Sequence, residues 1–89
     1  MDDADALIAE KLAQIEKEPS NMNFYRALAR IYTQNKRFAE AISTLEKAIA
    51  INSSDPELDR MLSSTRTADY EYRIEQLKGA GKSEEADEL

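Results

Sequence analysis

The stretch MNFYRALARIYTQNKRFAEAISTLEKAIAINSSD, residues 22–55, decides the fold. Its first half spaces Phe24, Tyr25, Leu28, Ile31 and Tyr32 at i, i+1, i+4, i+7 and i+8, which puts them on one stripe of an α-helix. Its second half does the same with Phe38, Ala41, Ile42, Leu45, Ala48 and Ile49. Asn35-Lys36-Arg37 between the halves leaves room only for a tight turn, so the two helices form an antiparallel hairpin. Ala27 and Ala29 on one helix, with Ala41 and Ala48 on the other, stand where two backbones approach. The hairpin buries one face of each helix. The large apolar residues left over need further neighbours.

Those neighbours are legible on both sides. Upstream, Leu7, Ile8, Leu12 and Ile15 form a third helical stripe, Asp3 or Asp5 can cap its start, and Glu18-Pro19-Ser20-Asn21 ends it. Downstream, Asn52-Ser53-Ser54-Asp55-Pro56 is a turn cluster that supplies an N-cap with Pro at the first helical position. Residues 57–78 then read as one long helix with two faces: Leu58, Met61, Leu62, Thr65 and Ala68 on one, Tyr70, Ile74 and Leu77 on the other. The weak helix formers Ser63, Ser64, Thr65 and Thr67 make a break near Ser64 the alternative. Gly79 suits a helix end, and Ser83 can cap a short final helix. The expected helices are about 4–17, 22–35, 38–52, 56–78 and 82–89.

Tyr25, Leu28, Ala29 and Tyr32, followed by Phe38, Ala41 and Ala48, stand at the spacings of the tetratricopeptide repeat, and residues 22–55 resemble one complete unit. Tyr25 takes the place of the usual opening Trp, and Ala29 and Ala41 match the small packing residues. Lys36 departs from the usual turn Gly, and Ser53 from the usual closing Pro. The first helix is similar to the second half of a preceding repeat, or to a terminal cap. Tyr70, Leu77, Gly81 and Ala86 have the spacing of a further, late-starting unit. The resemblance implies an all-α helical-hairpin solenoid of about five helices, with one full repeat flanked by incomplete ones.

Composition narrows the function. Eighty-nine residues allow one small domain of marginal stability, burying about 60% of its unfolded surface. Cysteine and histidine are absent from the sequence, which removes disulfides, thiolate chemistry and the commonest general base and metal ligand. A net charge of −6 speaks against nucleic acid, which needs a basic footprint. No apolar run approaches the roughly 20 residues of a membrane span, and the acidic start is unlike a secretory signal, so the cytoplasm is the expected compartment.

Local motifs add little chemistry. Gly79-Ala80-Gly81-Lys82-Ser83 imitates the end of a phosphate-binding loop, but Gln76 stands where its first Gly belongs and a helix, not a strand, precedes it. Asn52-Ser53-Ser54 fits a glycosylation sequon by chance. The acidic clusters Asp2/Asp3/Asp5 and Glu84/Glu85/Asp87/Glu88 lack calcium-loop spacing and read as solvated helix starts. No nucleophile has a base, so no enzyme, cofactor or metal is expected.

The informative feature is a charge anomaly. Of twelve bases and eighteen acids, four bases (Arg26, Arg30, Lys36, Arg37) and no acid fall between Met22 and Arg37, leaving eight bases against eighteen acids elsewhere. Arg26 and Arg30 share a helix face with Asn23, Thr33 and Gln34. In tetratricopeptide domains that face is the inner, ligand-facing side. Two roles compete for these arginines: gripping an acidic peptide or protein, or pairing with the acidic helices of the chain or a neighbouring subunit. The carboxylate-clamp pattern, which draws on three repeats, is not met. The leading expectation is a non-catalytic protein–protein interaction module with candidate contacts Asn23, Arg26, Arg30, Thr33 and Gln34. The alternative is self-association into a homo-oligomer through the long helix, with Tyr70, Tyr72, Ile74 and Leu77 at the interface.

Overall fold

In the computed structural model, which describes residues 3–79, the chain forms four helices: α1 (Asp3–Lys17), α2 (Met22–Gln34), α3 (Phe38–Ile51) and α4 (Pro56–Gly79). The fifth helix expected at 82–89 and residues 80–83 of the phosphate-loop look-alike lie outside the described residues; Gly79 is the last residue of α4. α4 runs unbroken through its serines and threonines, with the Thr67 hydroxyl donating to the Ser63 carbonyl at 3.1 Å. The long-helix expectation therefore stands and the break near Ser64 does not.

Helices pack on their neighbours in sequence, α1 on α2, α2 on α3 and α3 on α4. The resulting slab measures 47 × 36 × 13 Å. Its centre is the hairpin. Met22, Tyr25 and Ala29 of α2 meet Leu45 and Ala48 of α3 and Leu58 of α4 in one cluster, and Leu28, Tyr32, Ala41 and Ile8 form the second. Tyr25, in the opening aromatic position, donates its hydroxyl to the Pro19 carbonyl at 2.9 Å, which joins the α1–α2 turn to the core. Asn21 caps α2 by accepting the Asn23 N–H at 3.0 Å.

The stripe expected on α1 needs correction. Ala4 and Ile8 are buried and Ile15 is half-buried, whereas Leu7 and Leu12 are exposed. At 100° per residue, Leu7 and Leu12 lie on opposite flanks of the line through Ala4, Ile8 and Ile15, so a single packing partner covers neither. Ala27 is half-buried, leaving Ala29, Ala41 and Ala48 as the close-approach residues.

Two turns carry the polar chemistry of the fold. After α2, Arg37 N–H donates to the Tyr32 carbonyl at 2.8 Å and Lys36 N–H to the Thr33 carbonyl at 3.1 Å, the paired bonds of a Schellman ending. This places Lys36 at φ +64°, where glycine is the usual occupant. Arg37 then sends two parallel bonds of 2.8 Å to Glu40 and one of 3.0 Å to Asp5 on α1, and lies 5.2 Å from the Tyr32 ring centre. Hydrogen bonding to Arg37 holds the Glu40 carboxyl below the usual carboxylate range. Burial, with Glu40 nearby, pushes the Tyr32 phenol up.

Before α4, Asp55 acts twice. Its Oδ1 accepts the Glu57 N–H at 3.0 Å as an N-cap, and its Oδ2 accepts Arg26 at 2.7 Å across the helices. Arg26 also lies 3.6 Å from Glu57 and donates to Asn23. At the other end of α4 the Tyr72 ring sits 5.4 Å from that of Phe38, the first residue of α3. Residues 73–79 thus extend about 10 Å past that helix.

Substituting Lys36→Gly relieves a left-handed backbone worth about 1 kcal/mol and gives up about 0.5 kcal/mol from the ammonium lying 5.9 Å from the Tyr72 ring centre. The expected result is a rise of about 2–4 °C in the thermal midpoint, read by circular dichroism; a fall would mean that the Lys36–Tyr72 contact outweighs the strain. For Asp55, the Asn variant keeps the cap and costs about 1 kcal/mol, whereas Ala loses both roles and costs about 2–3 kcal/mol in urea unfolding. Equal losses would show that the ion pair contributes nothing.

Candidate functional site

An open cleft of about 530 Å³ lies between α2 and α4. Arg30, Thr33 and Gln34 form one wall; Glu57, Arg60, Met61, Ser64 and Thr65 form the other. The two walls arise from simple helical offsets. On α2, Arg30 and Gln34 are one turn apart on the side away from the buried Tyr25–Leu28–Tyr32 stripe. On α4, Arg60 and Ser64 repeat that step beside the stripe that begins with Leu58, and half-buried Met61 supplies an apolar floor. Arg30 and Arg60 are exposed and make no ion pair among the described residues. Such a surface can hold a peptide backbone with polar side chains, aliphatic contact at Met61 and charge at the two guanidinium groups.

Of the five contacts expected from sequence, three meet in this cleft and two do not. Arg30, Thr33 and Gln34 line it, although the Thr33 hydroxyl already donates to the Ala29 carbonyl at 2.8 Å. Arg26 is committed to Asp55, Glu57 and Asn23, which takes both Arg26 and Asn23 into the joint between α2 and the start of α4. The competing roles set out for the two arginines are thus divided, with Arg26 pairing within the chain and Arg30 facing the open cleft. The sequence reading missed Arg60, Met61 and Ser64, because the period of α4 alone does not say which flank turns toward α2. Arg60 precedes Met61 of the packed stripe by one residue, and that offset was the available signal.

The residues expected to self-associate also divide. Tyr72 belongs to the internal packing, its ring tilted by 53° against that of Phe38. Tyr70, Ile74 and Leu77 fall within an arc of about 60° on the side of α4 away from Leu58, Thr65 and Tyr72. Tyr70 is 62% exposed, and Ile74 and Leu77 are half-buried. A smaller recess of about 220 Å³ between α1 and α3, lined by Leu12, Ile15, Tyr25, Leu28, Thr44 and Lys47, accounts for the exposure of Leu12. No helix among the described residues is long and apolar enough to cross a membrane.

Comparison with protein families finds a match to the tetratricopeptide repeat over residues 2–64, from α1 into the first half of α4. Curated proteins and solved structures yield no match. The helix succession, the buried alanines at the hairpin and a family match spanning well over half of the sequence agree: the chain belongs to the tetratricopeptide repeat family, whose repeats generally mediate protein–protein interaction.

Proposed function

We propose that this protein is a non-catalytic interaction module whose α2–α4 cleft receives an acidic segment of a partner protein. One observation carries the reading: Arg30 and Arg60 face the same cleft from opposite walls, exposed and without ion pairs among the described residues, while neighbouring Arg26 is consumed internally. Guanidinium forks in that arrangement match carboxylates, and Met61 between them adds apolar contact. The cleft lies between the first helix of the complete repeat and the helix that follows it, the inner side in the family's arrangement. The cytoplasm is the compartment we propose, on the acidic, cysteine-free sequence.

The test is fluorescence anisotropy with a labelled Glu-rich decapeptide. Arg30→Glu combined with Arg60→Glu should weaken binding at least about tenfold, with a steep salt dependence in the parent chain. Both side chains are exposed, so the melting temperature should hold. Unchanged affinity in the double variant would remove the cleft from consideration.

A second reading, self-association, rests on the Tyr70–Ile74–Leu77 stripe, which faces away from α3 on the projecting end of α4. Here Ile74→Asp should lower the mass measured by light scattering at high concentration while leaving helicity intact. A monomeric parent chain at every concentration would dismiss this reading.

A further inference from the structure

The cleft between α2 and α4 does not end at Thr65. A second recess of about 280 Å³, lined by Lys36, Phe38, Ala68, Glu71, Tyr72 and Glu75, continues it along the same helix. Residues Arg60, Ser64, Ala68, Glu71 and Glu75 follow one another at intervals of three and four, so they form a single ridge on α4. The two recesses are therefore consecutive stretches of one track. Their charges are opposite. The lower stretch presents Arg30 and Arg60 beside Glu57, which lies 3.6 Å from Arg26, and the upper presents Glu71 and Glu75; Arg30, Arg60, Glu71 and Glu75 are exposed and without ion pairs among the described residues. Lys36, the cation nearest the upper stretch, lies over the Tyr72 ring rather than against either glutamate.

We propose that this track selects a bipolar partner peptide: an extended segment with a basic side chain at one end and acidic side chains at the other. The inference rests on the acid-binding reading of the lower cleft and adds a second, base-binding subsite to it. Arg60 and Glu71 are eleven residues apart, about 16 Å along a helix at 1.5 Å per residue. An extended chain advancing about 3.3 Å per residue covers that span in about five residues, which fixes the spacing between base and acids. Glu71 and Glu75 together offer a lysine or arginine head group two carboxylates.

Three labelled decapeptides of matched length test this on the full chain. The first has one lysine separated by four alanines from three glutamates; the second has the same composition with the lysine among the glutamates; the third replaces lysine by glutamine. The first should bind about fivefold more tightly than the other two, an advantage expected of exposed charge pairs. Glu71→Gln with Glu75→Gln should erase that advantage and leave the third peptide's affinity unchanged. Equal binding of all three peptides would overturn the base-binding subsite and leave the acid-binding reading intact. Absence of binding by any of them would overturn both. Residues 82–88 of the chain itself read Lys-Ser-Glu-Glu-Ala-Asp-Glu, so the full chain with Glu84→Gln, Glu85→Gln, Asp87→Asn and Glu88→Gln forms the last arm. Unchanged affinity for the first peptide supports an external partner, and a marked rise would assign the track to the chain's own segment instead.

Discussion

Three alanines set the rest of the molecule in place. Ala29, Ala41 and Ala48 are at most 1% exposed, and they let α2 and α3 close on one another without side chains between. That approach drives Leu28 and Leu45 fully inward and leaves Tyr25 and Tyr32 to fill the space toward α1. A larger residue at any of the three would wedge the hairpin open, and overpacking of a dense core costs about 1–3 kcal/mol. With the hairpin closed, Leu58 finds a pocket already formed and docks α4 against it.

The hairpin was legible because its signals agree at every level. Period, small residues and turn length all require the same antiparallel pair; of the stripes they select, Tyr25, Leu28, Tyr32, Phe38, Ala41, Leu45 and Ala48 are buried and Phe24, Ile31, Ile42 and Ile49 half-buried, while Met22 and Thr44 are buried without having been selected. α1 was less legible. Its Leu7 and Leu12 fit an apolar stripe as well as Ala4 does, and only the position of α2 decides that the alanine goes in. α4 carried two stripes, and the sequence separated them correctly except at Tyr72, whose partner Phe38 lies on another helix. The cleft was half legible for the same reason. Residues on α2 could be assigned to a face by counting, whereas the register of α4 depends on Asp55, which is at once a cap and the acceptor of Arg26.

That double role also explains why the two arginines of α2 differ. Arg26 lies one turn nearer the start of the helix, level with the turn that delivers Asp55 and Glu57, and its guanidinium is about one-fifth exposed. Arg30, one turn further, lines the cleft with Ser64 and Arg60 and makes no ion pair among the described residues. A difference of about 6 Å along a helix thus separates a structural cation from a free one. Lys36 shows a similar tension at the turn, where a side chain stands in a backbone conformation that favours glycine and finds compensation on the Tyr72 ring.

The consecutive packing of the helices has a thermodynamic corollary. α4 rests on α3 as far as Tyr72 and on α2 near its start, through Leu58 and the Arg26 joint. The open cleft, however, needs α2 and α4 together. Undocking α4 would abolish the cleft without disturbing the hairpin, so the fraction of molecules with α4 docked scales the apparent affinity of anything bound there. Conversely, a bound segment spanning both walls holds α4 down, by an amount set by its concentration relative to its dissociation constant. A ligand that bridged both walls and α4 would therefore act as mutual effectors, and its arrival would register as protection of α4 amides far from the point of contact.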